Sequence, residues 1–178
     1  MIKSIVNTFR EQARCHKSIK SFHYSRIYEH GSGNELHPLF WLEDPIIGSN
    51  QGNLFSGTVN FSVLFIPPNK NTILHFQDMA FSIGLNILER IKQDENSHIR
   101  ILPSWTYITL RDYYDNDACG CRFSVDFTHL NMQNLCLIDE QFDEKKEFGT
   151  HKVFNDFDVN STEVFTSKLP VFNLKTSK

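Results

Sequence analysis

Residues 104–131 read SWTYITLRDYYDNDACGCRFSVDFTHLN, two runs of strand formers around a turn-rich centre, the pattern of a β-hairpin. On the first arm Trp105, Tyr107 and Thr109 fall on one side of the pleat, and Thr106, Ile108 and Leu110 on the other. On the second arm Phe123, Val125 and Phe127 alternate with Arg122, Ser124, Asp126 and Thr128. Successive strand side chains point to opposite faces, so this alternation lays one face on a core and leaves the other polar. The centre, DNDACG at 115–120, offers short polar side chains and a glycine that reverse a chain at little steric cost.

Outward from the hairpin toward the N-terminus, residues 74–93 carry Phe76, Met79, Ala80, Ile83, Ile87 and Ile91 at helical spacing, enough to cover a small sheet. Asn69 to Thr72 supply capping residues, and Gly84 inside the helix either costs about 1 kcal/mol relative to alanine or marks a close helix–sheet approach. Residues 55–67 form a second strong strand pattern, with Val59, Phe61, Val63 and Phe65 on the face expected to meet that helix. Residues 46–54 are rich in Gly, Ser and Asn and are expected to be a polar loop. Residues 36–44, LHPLFWLED, contain Pro38 and are expected to be an edge strand or an irregular extended segment. The Glu43–Asp44 pair is expected to be solvated at its end. A strand is expected within 18–29. Residues 1–17 read as an amphipathic helix through Ile2, Ile5, Val6, Phe9 and Ala13, lying on its own domain or, alternatively, on a neighbouring subunit.

After Cys136 the character changes. Residues 139–147 are charged and read as a linker; beyond them isolated hydrophobic residues sit in a polar background. That pattern predicts a core domain over 1–138 and a linker with an extended arm over 139–178. The arm would gain order by laying Phe154, Phe157, Val164, Phe165, Val171 and Phe172 into pockets, on its own domain or on a neighbouring subunit as an interface. The order helix, strands, helix, two strands predicts an α+β fold: an antiparallel sheet with a long hairpin, helices packed on one face, and that extended arm.

Composition narrows function by exclusion. Hydrophobic residues make up 40% and aromatic residues 13% of the 178, enough for a core, and sixteen phenylalanines favour a sheet over a bundle. A net charge of -3 and a pI near 6.2 give no general pull toward nucleic acid or anionic membrane. No apolar run approaches the ~20 residues of a membrane span, and no secretory signal is visible, so a cytosolic protein is expected.

Three residue sets bear weighing as chemistry. Cys119, Cys121 and Cys136 with His129 have the residue types for a zinc site or a cysteine nucleophile. They lack a CxxC pair, and nothing in the sequence activates a thiol, so buried reduced cysteines are the expectation. Asp112, Asp115, Asp117, Gly120 and Asp126 loosely imitate a calcium loop, but Cys119 stands where an oxygen ligand belongs and the flanks are strands. No metal and no cofactor are therefore expected, and the chain is expected not to be an enzyme. The enzyme built on Cys119, Cys121, His129 and Cys136 remains the alternative, with a monomeric binding module as a third reading.

The FWLEDPI segment, the long strand ending in FIPP, the amphipathic helix, ITLRDYYDNDACGCRFSVDFT and NMQNLC together resemble small neck and tail-completion proteins of crAss-like phages infecting Bacteroides-type bacteria. The resemblance spans residues 36–136. It implies a tail-terminator-like fold and a structural virion protein, a ring in the head-to-tail connector that joins portal to tail. It further implies a homo-oligomer that contacts the portal and other neck or tail proteins and lets genomic DNA pass without specific binding. No membrane partner is expected, and the protein would occupy the host cytoplasm during assembly and the virion neck afterwards.

Overall fold

A computed structural model describes residues 2–26, 35–95, 97–113 and 117–130. Residues 1–132 form one compact unit of α+β architecture. Its elements are α1 (Ile2–Cys15), β1 (Ser21–Arg26), β2 (Leu39–Asp44), β3 (Ile47–Gln51), β4 (Leu54–Phe65), α2 (Ile73–Gln93), β5 (Ile99–Tyr113) and β6 (Ala118–Leu130). The six strands make one sheet in the order β1-β2-β4-β6-β5, with β3 paired to β4 beside this path. Every pairing is antiparallel except β1 with β2, which is parallel. The expected boundary at 138 and the arm residues Phe154, Phe157, Val164, Phe165, Val171 and Phe172 lie outside the described residues.

The hairpin arms and α2 form as their periodicities require. On β4 the apolar set Val59, Phe61, Val63 and Phe65 enters one core with α2 residues Ala80, Ile83, Ile87 and Ile91. Gly84 sits directly over Phe123: a methyl group at that position would overlap the ring. The glycine is therefore the condition for the helix lying this low on the sheet. Helix α1 buries Ile5, Val6, Phe9 and Ala13 against β1, β2 and α2, so it packs on its own domain. Arg10 completes the contact by placing its guanidinium over the Phe22 ring at 5.3 Å.

An aromatic row crosses this helix-covered face through all five strands of the path. Phe22 on β1 stacks on Phe40 of β2 at 5.8 Å, Phe40 on Phe61 of β4 at 4.9 Å, and Phe61 on Phe123 of β6 at 4.9 Å. Tyr107 of β5 ends it, 6.3 Å from Phe123. Register explains three of these contacts, because Phe22 lies directly opposite Phe40, Phe61 opposite Phe123 and Tyr107 opposite Phe123.

Three expectations need correction. Residues 39–44 are not an edge: β2 lies between β1 and β4 and is buried on both faces, Pro38 falling just before its first residue, where the missing N–H breaks no ladder bond. The stretch expected as a polar loop contains β3, held to β4 by a two-residue turn at Gly52–Asn53 with Gly52 at φ 70°. Here the pairing surface of β4 overrides weak local propensity. In the hairpin, β6 begins within the stretch expected as the turn, at Ala118, and takes in Cys119 and Gly120. Asp112 and Asp117 border that turn with left-handed φ values of 48° and 50°, a conformation short polar side chains tolerate.

Candidate functional site

The sheet has a second face, and its chemistry differs. Leu39 and Trp41 of β2, Leu64 of β4 and Leu110 of β5 form a buried cluster with Tyr113 packed against it, and neither helix contributes a residue. His23 of β1 stacks on Trp41 at 5.8 Å, nearly parallel. Beside this cluster Glu43, Ser62 and Arg122 lie in a line across β2, β4 and β6. Arg122 donates from Nε to Glu43 Oε1 at 2.7 Å and from Nη2 to Oε2 at 2.6 Å, a two-pronged clamp. The Ser62 hydroxyl donates to Oε1 at 3.3 Å. Glu43 is only 5% exposed, which overturns its expected solvation. Its neighbour Asp44 stays near the surface, accepting from the Tyr24 hydroxyl at 2.9 Å and facing Arg26 at 3.6 Å. Burial and the bond to Asp44 push the Tyr24 hydroxyl up to about 12.

Further along this face the polar groups are paired. Thr58 donates to Asp126 at 2.6 Å, and Ser49 and Ser56 share a hydrogen bond at 3.0 Å, lining an open groove of ≈ 380 Å³. These pairs link neighbouring strands through groups already satisfied by one another.

The residues weighed as chemistry are not gathered. Cys119, Cys121 and His129 all point to the helix-covered face of β6, but His129 is ten residues beyond Cys119 on the same strand. By strand rise that is about 33 Å. Both thiols are buried and free. Burial, then Asp78 and Cys119, push the Cys121 thiol up to about 11, away from the thiolate. Burial and Asp112 raise Cys119 likewise. Cys121 spends its proton on the Gln77 carbonyl at 3.4 Å, while the Gln77 amide donates to the Leu110 carbonyl at 2.9 Å, so the pair ties α2 to the hairpin. Of the calcium-like set, Asp117 borders the turn and Asp126 stands nine residues up β6, about 30 Å away by strand rise, bonded to Thr58. Cys136 and Asp115 lie outside the described residues.

Among the described residues β5 is an end strand of the sheet, paired only with β6. Thr106, Tyr107, Ile108 and Thr109 are exposed in succession, Tyr107 at 51% and Ile108 at 54%. Residues 101–110 carry no charge, and the register shifts fall toward the two ends of the strand, between Ile101 and Trp105 and between Leu110 and Tyr113. From Trp105 to Leu110 the ladder with β6 is regular. Sequence reading described these residues as one hairpin arm; that the arm is an edge follows from strand order, which the pattern does not encode. Among the described residues no helix is long and apolar enough to cross a membrane. No family model matches this sequence, and no curated protein matches it.

Proposed function

We propose that this chain is a structural virion protein that assembles as a ring in the head-to-tail connector of a tailed phage, joining portal to tail around the DNA channel. The observation that carries this reading is the uncharged, regular β5 edge from Trp105 to Leu110, exposed from Thr106 to Thr109 and unpaired on its outer side among the described residues. Such an edge is a template for strand pairing, and soluble proteins ordinarily blunt it with lysine, proline or a bulge. Here the proline lies before Trp105 and the two register shifts flank the segment, between Ile101 and Trp105 and between Leu110 and Tyr113, so the six residues between them keep a regular ladder.

The resemblance of residues 36–136 to neck and tail-completion proteins of crAss-like phages points the same way. A ring of identical subunits in one orientation uses heterologous contacts that close when the rotation per subunit divides a full turn. A net charge of -3 per chain suits a channel through which DNA slides, because cationic groups that would hold phosphates are not in excess. The arm residues Phe154, Phe157, Val164, Phe165, Val171 and Phe172 enter this reading on composition alone, as further interface. The cysteine-based alternative loses ground to the separation of Cys119 and Cys121 from His129.

The test is location. An epitope-tagged chain, supplied during infection and traced by gold label on purified particles, is expected at the junction of head and tail. Label on the capsid shell or tail fibres, or particles without label, would contradict the reading.

A further inference from the structure

We infer that the ring junction is a β-ladder between the β5 edge of one subunit and the β1 edge of the next, so that the sheets of neighbouring copies run on into one another. This rests on the ring reading proposed above and names its contact. Four features of the fold converge on it. First, β1 and β5 are the two ends of the strand path, and among the described residues each pairs on one side only. Second, their directions suit each other. β1 runs parallel to β2, while β2, β4, β6 and β5 alternate, so β5 and β1 run oppositely within one sheet. Copies in the same orientation therefore bring β5 against the next β1 in antiparallel fashion, the more stable ladder. Third, their lengths match: β1 is 6 residues, and the regular part of β5 from Trp105 to Leu110 is also six, exposed from Thr106 to Thr109.

Fourth, the faces match. Phe22 and Tyr24 of β1 share the helix-covered face with Trp105 and Tyr107 of β5. Full overlap of the two edges sets Tyr107 opposite Tyr24, Trp105 opposite Arg26 and Thr106 opposite Ser25 of the neighbour. The aromatic row that crosses each sheet from Phe22 to Tyr107 then continues into the next copy instead of ending at a half-exposed tyrosine. No charge on β5 between Trp105 and Leu110 opposes Arg26, whose guanidinium gains the Trp105 ring as a partner. A slip of one residue would put the neighbour's helices on the opposite side of the sheet, so pattern as well as length fixes the register.

The competing occupant of the edge is a second β5, giving a two-fold dimer in place of a ring. Disulfide trapping separates them. In a full-length chain carrying Cys15→Ser and Cys136→Ser, Thr106→Cys is combined with Ser25→Cys, and in a second protein Tyr107→Cys with Tyr24→Cys. The two pairs are needed because adjacent antiparallel positions alternate in spacing, and one of them has the closer approach. Mild oxidation is expected to give a ladder of covalent multimers, seen on non-reducing gels, in at least one double variant. No multimers are expected with Thr106→Cys, Tyr107→Cys, Ser25→Cys or Tyr24→Cys alone. Covalent dimers from Thr106→Cys or Tyr107→Cys alone would assign the edge to self-pairing and overturn the junction. An oligomer by light scattering with no trapping in either double variant would overturn the junction and leave the ring reading standing. A monomer by light scattering would remove the ring itself.

Discussion

Glu43 Oε2 and Arg122 Nη2 meet at 2.6 Å although their residues are 79 apart in sequence. The pair clamps β2 to β6 across β4, with Ser62 of the intervening strand donating to the same carboxylate. An ion pair of this kind need not be worth more than apolar groups of the same shape, but breaking it strands a charge away from water. Arg122→Met should therefore destabilise the protein by about 2–4 kcal/mol, the partial exposure of the guanidinium placing it below the fully buried limit. Adding Glu43→Gln should recover part of that loss. Urea unfolding of both variants checks this, and additive losses would show that the two side chains act independently.

Gly84→Ala separates two effects of opposite sign. Alanine favours a helix over glycine by about 1 kcal/mol. The added methyl would overlap Phe123, which is fully buried within the aromatic row. Overpacking of a core costs about 1–3 kcal/mol, so the balance should be a net loss with a lower melting temperature. A variant more stable than the parent would mean that the helix rises off the sheet easily.

Phe61 touches Phe9, Phe40 and Phe123 and has no exposed surface. Phe61→Ala should cost roughly 3–5 kcal/mol in chemical denaturation. A cost under ~0.5 kcal/mol, the range of surface substitutions, would contradict its place at the centre of the row.

These three positions also mark how far the sequence was legible. Phe61 sits in a strongly periodic segment, so the face of β4 could be read from spacing. Gly84 within a helix pattern leaves open a propensity cost or a close approach of α2, and only the Phe123 ring beneath it decides between them. Glu43 could not, because its partner lies on a strand whose neighbours are set by sheet order. The same limit hid the interior position of β2, whose Pro38 looks like an edge signal until the strand is seen to begin one residue later. β3 was illegible because Gly48, Ser49 and Asn50 have little strand preference of their own and owe their pairing to β4. The candidate junction was half visible: the pattern of β5 was clear, while its edge position and the opposite run of β1 appear only in the assembled sheet.

The buried thiols give a prediction in pH. Cys121 is pushed up to about 11 from an ordinary 9.0, chiefly by burial. Between those values the folded protein holds a proton that the unfolded chain releases. Stability is therefore fully present below about pH 9 and is lost as pH rises toward about 11. Cys119 shifts in the same direction and adds to the slope. Cys121→Ser should make the fall between pH 9 and 10 shallower in equilibrium unfolding, a range below the ordinary tyrosine value of 10.0. An unchanged slope would mean that the thiol is solvated in the fold.

Native mass spectrometry of the purified full-length chain bears most directly on the assembly. A single closed oligomer, an integer multiple of the 20.8 kDa subunit that falls to monomer with Ile108→Lys on the β5 edge, is the predicted result. A parent protein found only at 20.8 kDa, or an oligomer unchanged by Ile108→Lys, would contradict a ring closed through that edge.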